Sequence, residues 1–240
     1  MEVFMKKLHV LVAVVLLSGL TACETLKLDG LNDVLNSSGG LSTEKIIAGL
    51  KQALDLGTES AVKQLSKEGG FSKNNLYRIG MPKELNEVKT TMNKLGMGFL
   101  VKSFEGKMNE AAEHASKSAG PVFLDAIKQM TFADAKEILN GSDTAATDYL
   151  KKTTSSKLIK LYQPIVEKNM NQVGAAQVYN DLMKKYDAIP FKSKPKFSLE
   201  KYITGKALDG MYSELAEEEK KIRQDPAART TQLLKEVFGK

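Results

Sequence analysis

The chain is predicted to fold as an all-α protein, a single multi-helix bundle of about eight helices, on three observations. Apolar residues recur at intervals of three and four along most of the length, as they must when one face of a 3.6-residue period is buried. Residues suited to starting and stopping helices bracket those stretches. Nowhere does a sustained alternation of apolar and polar residues suggest a strand, and each stretch offers one apolar stripe, which is what a bundle buries.

Ile46, Ile47, Leu50, Ala53, Leu54, Ala61 and Leu65 mark the first helix, in which Gly49 and Gly57 each cost about 1 kcal/mol relative to alanine. A loop from Glu68 through Gly69, Gly70, Phe71 and Ser72 to Asn75 ends it. Met81-Pro82 fits the start of the next, since proline suits a first turn, and Leu85, Val88, Met92 and Leu95 supply its inner face. Leu100, Phe104, Met108, Ala111 and Ala115 form a stripe whose alanine half lets another helix come close. Pro121 opens a short helix with Val122, Phe123, Ala126, Ile127 and Met130. Thr131 fits an N-cap, with Asp134 standing where a capping-box carboxylate belongs, before Ile138 and Leu139; Gly141 ends that segment. From Asp143 to Val173 a longer helical region turns Leu158, Leu161, Tyr162, Ile165 and Val166 inward. Pro164 is predicted to kink or break it, because its ring clashes with the preceding turn and it lacks a backbone donor. Ala175 to Tyr186 reads as a helix, and Ile189 to Phe197, with Pro190 and Pro195 among lysines, as a long loop. Ser198 caps a strongly patterned helix bearing Leu199, Tyr202, Ile203, Leu208, Met211, Tyr212, Leu215 and Ile222. Asp225-Pro226, an N-cap followed by proline, opens a terminal helix with Leu233, Leu234, Val237 and Phe238.

Ahead of the helices stands a different kind of segment. Lys6 and Lys7 precede an apolar run from Leu8 to Leu17, followed by Ser18, Gly19 and then Leu20-Thr21-Ala22-Cys23. Spanning a bilayer takes about 20 consecutive apolar residues, and this run is too short and too interrupted. The pattern is that of a cleaved leader, residues 1–22. Cys23, the only cysteine of the 240 residues, completes a lipobox. The resemblance is to bacterial lipoproteins, in which the thiol receives a diacylglyceryl group, the leader is removed and the new amino terminus is acylated. It implies lipidation of Cys23 and a membrane partner. The sorting rule of such proteins keeps those with Asp after the Cys at the inner membrane. Glu24 therefore implies the periplasmic face of the outer membrane. Residues 23–40, polar and ending Asn36-Ser37-Ser38-Gly39-Gly40, read as acylated Cys and tether, and residues 41–240 as the helical domain, long enough for one substantial core. With no second cysteine no intramolecular disulfide can form.

The whole chain carries a formal charge of +6, and the leader takes with it Lys6, Lys7 and Glu2, so the mature balance is one charge lower and thinly spread. Basic pairs such as Lys151-Lys152, Lys184-Lys185 and Lys220-Lys221 lie among acidic and polar neighbours, without arginine clusters or interleaved aromatics, and no nucleic-acid partner is expected. Only His9 and His114 exist, and His9 leaves with the leader, so a His/Cys zinc site is excluded and a histidine-dependent triad would have to use His114. Ser60-Ala61-Val62-Lys63 matches Ser-x-x-Lys, but Ser142-Asp143-Thr144 is not Ser-Asp-Asn and Lys-Thr-Gly is absent. Gly98 and Gly106-Lys107-Met108 do not make a phosphate loop, and no dinucleotide-binding glycine pattern occurs. No cofactor is expected. Glu113, Asp125, Asp134, Asp143 and Asp148 stand on otherwise alanine-rich or apolar helices. Carboxylates can bind hard cations or act as acid and base, yet no calcium-loop spacing is present, and Asp134 and Asp143 fit helix starts. In Glu217-Glu218-Glu219 through Arg223, Glu219 can pair with Arg223 and Glu217 with Lys221, four residues on. Arg223 and Arg229 flank a helix junction, where arginine forks could hold carboxylates from other helices or an external anion.

These motifs resemble a family of bacterial lipoproteins known only as a domain of unknown function, number 4197. The likeness rests on Gly49-Leu50-Lys51-Gln52-Ala53-Leu54 with Gly57, Met108-Asn109-Glu110-Ala111-Ala112-Glu113, Met130-Thr131-Phe132-Ala133-Asp134-Ala135 with Ile138-Leu139, and Asp143-Thr144-Ala145-Ala146-Thr147. It continues from Ala216 to Leu234 through Glu218-Glu219, Ile222-Arg223, Pro226 and Arg229-Thr230-Thr231. Where the family usually has Arg, this chain has Glu110, which argues against that position binding an anion. The candidate polar cluster is Asn109, Glu113, Asp134, Asp143, Thr147, Glu218, Glu219, Arg223 and Arg229, either bracing the fold or forming a site. The resemblance implies no activity. The leading expectation is a non-catalytic envelope module with a protein or lipid partner. The alternatives are an apolar pocket beside Ala111, Ala112 and Ala115, or a carboxylate-dependent hydrolase using Glu113, Asp134 and Glu219.

Overall fold

A computed structural model describes residues 40–239; the leader, Cys23 and the tether up to Gly39 lie outside the described residues. Among the described residues there are nine α-helices and no strand: α1 (Thr43–Leu65), α2 (Asn86–Lys94), α3 (Gly98–Ser116), α4 (Ala119–Gln129), α5 (Ala135–Leu139), α6 (Ala145–Gln172), α7 (Ala175–Asp187), α8 (Leu199–Gln224) and α9 (Gln232–Phe238). Two 3₁₀ turns, Lys83–Leu85 and Pro226–Ala228, precede α2 and α9. The helices form one compact unit, Thr43–Lys240. None of the described helices is long and apolar enough to cross a membrane.

Helix α8 is the axis of the unit. It packs most extensively against α1 and α6, and also against α3, while α3 in turn receives α2, α6 and α7. The predicted stripes explain this arrangement. Leu50, Ala53, Leu54, Ala61 and Leu65 of α1 and Ile203, Leu208, Met211, Leu215 and Ile222 of α8 are all buried. Ala111, Ala112 and Ala115 are wholly buried, so the alanine half of α3 is filled by neighbouring helices, as close packing of interiors requires. Phe104 meets Tyr179 of α7 with ring centroids 5.4 Å apart, and Phe123 of α4 meets Tyr212 of α8 edge-on at 5.5 Å.

Two glycines have definite tasks. Gly174, at φ 74°, turns the chain between α6 and α7 in the left-handed conformation that a helix C-terminus favours. Gly49 lets α9 lie on α1, because a Cβ there would fall 2.6 Å from Cγ2 of Val237. Its helix-weakening cost thus permits a helix contact. Gly49→Ala is expected to destabilise the fold by about 1–3 kcal/mol despite alanine's better helix propensity, since overpacking outweighs it. Urea unfolding of Gly49→Ala beside the double variant Gly49→Ala/Val237→Ala checks this; the second change should recover part of the loss.

Several sequence expectations are corrected. Pro164 does not break α6, which runs unbroken from Ala145 to Gln172; Pro164 and Lys160, whose carbonyl loses its donor, are both exposed, so water can serve that carbonyl. Leu161 and Leu95, expected inward, are 47% and 53% exposed: Leu161 flanks the line of Leu158, Tyr162, Val166 and Met170 that α6 buries, and Leu95 is the residue that ends α2. Ile165 and Leu100 are only half-buried. Thr131 does not cap a helix. Asp134 occupies the N-cap of α5 without a side-chain bond, and the Thr131 carbonyl accepts the Tyr149 hydroxyl at 2.5 Å, while Phe132 stacks on the Tyr149 ring and holds this stretch against α6. Helix α4 starts at Ala119, before Pro121, and Pro82 is the N-cap of a 3₁₀ turn. Asp225-Pro226 opens only the second 3₁₀ turn, with Asp225 accepting from the Ala227 amide at 2.8 Å. The terminal helix is capped by Thr231 instead, whose hydroxyl accepts from Leu234 and donates to Gln52 of α1. Ser198 caps α8 as expected.

Candidate functional site

The nine candidate polar residues do not form one cluster. They divide into two separate sets, each built around a buried carboxylate that accepts backbone amides from a distant segment, and three residues that join neither.

The first set is a row on α3. Glu105, Asn109 and Glu113 are four residues apart in succession, so they stack along one face of the helix. All three are buried. Each holds a different point of the chain between α1 and α2. Glu113 Oε1 accepts the amides of Phe71 and Ser72 at 3.1 and 3.0 Å and the Ser72 hydroxyl at 3.0 Å. Asn109 accepts the Ile79 amide at 2.9 Å and donates its own amide to the carbonyls of Ile79 and Glu105 at 2.8 and 2.6 Å. Glu105 accepts the Met81 amide at 3.1 Å, Lys89 at 3.1 Å and Arg78 at 3.2 Å. A stretch without regular structure thereby finds partners for the amides it buries, as buried backbone groups must. Glu105 was missed in the sequence. Its signal was the spacing, four and eight residues before Asn109 and Glu113 on a helix otherwise apolar on that side.

The second set joins three helix ends. Glu219 of α8, 1% exposed, accepts the Ala146 amide at 2.9 Å through Oε1 and the Thr147 amide and hydroxyl at 2.8 and 2.7 Å through Oε2. A carboxylate from another helix thus satisfies first-turn donors of α6 and complements its positive end. Arg223, one turn later, bonds the same carboxylate with Nε at 2.9 Å and turns its other nitrogens to the carbonyls of Leu139 and Ile138 at 2.6 and 3.0 Å, the C-terminal end of α5. Its guanidinium also lies 5.4 Å from the centre of the Phe238 ring. Arg229 folds back on α8 and donates to the carbonyls of Ile222 and Arg223 at 2.9 and 2.7 Å. Both arginines therefore serve chiefly carbonyls at helix C-termini, where cations are favoured. The expected pairing of Glu219 with Arg223 is present; among the described residues the two arginines hold no carboxylate from another helix and instead brace helix ends through carbonyls.

The remaining candidates lie at the surface. Asp134 is exposed at the start of α5, Asp143 accepts from Gln224 at 2.5 Å, and Glu218 pairs with Lys221 at 2.5 Å in place of the expected Glu217. Glu113, Asp134 and Glu219 consequently belong to three different surroundings, and their arrangement assembles no acid and base pair. Beside Glu113 a surface cleft of about 540 Å³ is lined by Ser66, Ser72, Lys107, His114 and Lys117 among others. His114 is half-buried there and makes no hydrogen bond to a serine or carboxylate among the described residues, so no triad is assembled. Among the described residues no three of His, Cys, Asp and Glu converge in a way that could hold a metal ion. The titratable groups displaced from their ordinary range stand outside this cleft. Burial pushes the Asp55 carboxyl up, opposed by Lys128, and burial with the nearby Glu214 carboxylate pushes the Tyr77 phenol up to about 12.

No curated protein and no solved structure matches the chain. A family model does, over residues 40–239, which is nearly the whole described structure and includes both carboxylate-centred sets. The chain belongs to the family described as protein of unknown function, DUF4197.

Proposed function

We propose that this protein is a lipid-anchored module of the bacterial cell envelope, attached through acylated Cys23 at the periplasmic face of the outer membrane, whose helical domain binds or braces an envelope partner without catalysing a reaction. The observation that supports the non-catalytic reading is the commitment of its buried polar side chains. Glu105, Glu113 and Glu219 each hold two or more donors from distant segments, and Asn109 both accepts from and donates to Ile79; a carboxylate occupied in this way is not presented to a substrate. Attachment rests on the sequence Leu20-Thr21-Ala22-Cys23 after the charged and apolar leader. Each methylene buried in the bilayer adds about 0.8 kcal/mol, so several acyl chains at one residue hold a protein for good.

The amino-terminal peptide of protein purified from envelopes is expected to begin at Cys23 and to carry the mass of a diacylglyceryl group and a further acyl chain. Cys23→Ser should retain its leader and lose the acyl mass. An intact leader or an unmodified Cys23 in the unaltered protein overturns the anchor.

A further inference from the structure

The loop between α7 and α8 carries an unusual combination. Phe191 is fully exposed and stands at φ 63°, in the left-handed region that a bulky residue adopts only when its surroundings impose it. Pro190 before it and the Lys192 amide bonded to the Ile189 carbonyl at 3.1 Å define the tight turn that presents the ring. An aromatic ring held entirely in water by a strained backbone gains nothing for the fold, and such strain tends to sit at sites of recognition. Lysines flank it along the chain: Lys184 and Lys185 in the last turn of α7, and Lys192, Lys194 and Lys196 along the loop. The acidic groups around it include Asp187, which is exposed, Glu87, which pairs with Lys192, and Glu200, whose charge acts on Tyr179. Lys194 rests over the Tyr179 ring at 5.2 Å and forms no ion pair among the described residues.

We propose that this loop docks onto an anionic phospholipid surface, Phe191 entering the acyl boundary and the flanking lysines resting among the phosphates. An apolar wedge within a basic collar is the pattern of interfacial membrane contact, in which burial of the ring and attraction to anionic lipid add. The inference rests on the proposed anchor for its proximity. The residues between Cys23 and Thr43 can span up to about 60 Å when extended, enough for a domain of this size to turn any face to the bilayer. With docking, the anchored domain would hold one orientation instead of many.

The test uses the lipidated protein carrying Phe191→Cys, labelled with an environment-sensitive fluorophore and reconstituted into vesicles of phosphatidylcholine with or without phosphatidylglycerol. In anionic vesicles the label is expected to shift to the blue and its quenching by neutral acrylamide to fall several-fold; in purely zwitterionic vesicles it should stay exposed. Adding Lys192→Gln, Lys194→Gln and Lys196→Gln should return it to water in both. Equal quenching in the two vesicle types, or shielding indifferent to the lysines, overturns the proposal. Failure of the anchor is read separately, from the mass of the amino terminus. Should Cys23 be unmodified, it is replaced by serine and the vesicles are added to the labelled protein in solution, with the same outcomes deciding.

Discussion

Glu219→Ala is expected to lower the free energy of unfolding by about 3–5 kcal/mol, the loss typical of breaking a buried ion pair by removing one partner. Arg223 would keep its charge, with a side chain only 9% exposed, and lose the carboxylate it pairs with. The amides of Ala146 and Thr147 would lose their acceptor at the start of α6, and unmet buried donors are costly in their own right. Glu219→Gln keeps the shape and part of the hydrogen bonding, so about 2–3 kcal/mol is expected. Chemical denaturation with hydrogen exchange at Ala146 and Thr147 checks both. The double variant Glu219→Gln/Arg223→Met separates charge from packing. If the loss is mainly an orphaned arginine, the double variant should be more stable than Glu219→Gln alone. A Glu219→Ala loss under about 1 kcal/mol would mean that solvent reaches the junction and that it does not brace the fold.

Glu113→Ala is the second large effect, about 2–4 kcal/mol, but of a different character. Its carboxylate gathers three donors from Phe71 and Ser72, and Phe71 is itself a buried ring against Gly210 of α8. Losing the acceptor should release the connector before it loosens the bundle. Trypsin should then cut faster at Lys67, Lys73 and Arg78 under native conditions, while the amides of Ala146 and Thr147, held by Glu219, keep their exchange protection. Asn109→Leu removes the next latch along the row and should expose the same segment. Equal protection loss throughout the chain would show instead that Glu113 belongs to the global core.

Where the sequence was legible, the reason is local. A stripe of apolar residues at helical spacing has to be buried, and Ser198 caps α8 because its hydroxyl needs only a partner three residues away. Where it misled, the competing influence came from a distance. The Thr131 and Asp134 pair satisfied the pattern of a capping box, yet the Tyr149 hydroxyl and ring claimed the segment from 18 residues further on. Asp225-Pro226 satisfied the pattern of a helix start, and Arg229 used the residues after it to close the end of α8. Leu95 and Leu161 obeyed the right period at the wrong place, since periodicity says which residues share a face and not how much of that face the neighbours cover.

The candidate polar residues show the same division. Glu113 could be singled out from the sequence as a carboxylate on an alanine-rich helix, Glu219 and Arg223 by their four-residue spacing, and Asn109 by the family resemblance. Their partners could not. Glu219 finds its donors 72 and 73 residues earlier, and Glu113 finds its own 41 and 42 residues earlier. By itself the sequence determined the helices and their buried faces, because local spacing alone sets which side of a helix must leave water. Only the tertiary structure decided which carboxylate closes which distant helix end or loop, because hydrogen bonds reach no further than about 3 Å and those groups meet only after the helices have packed.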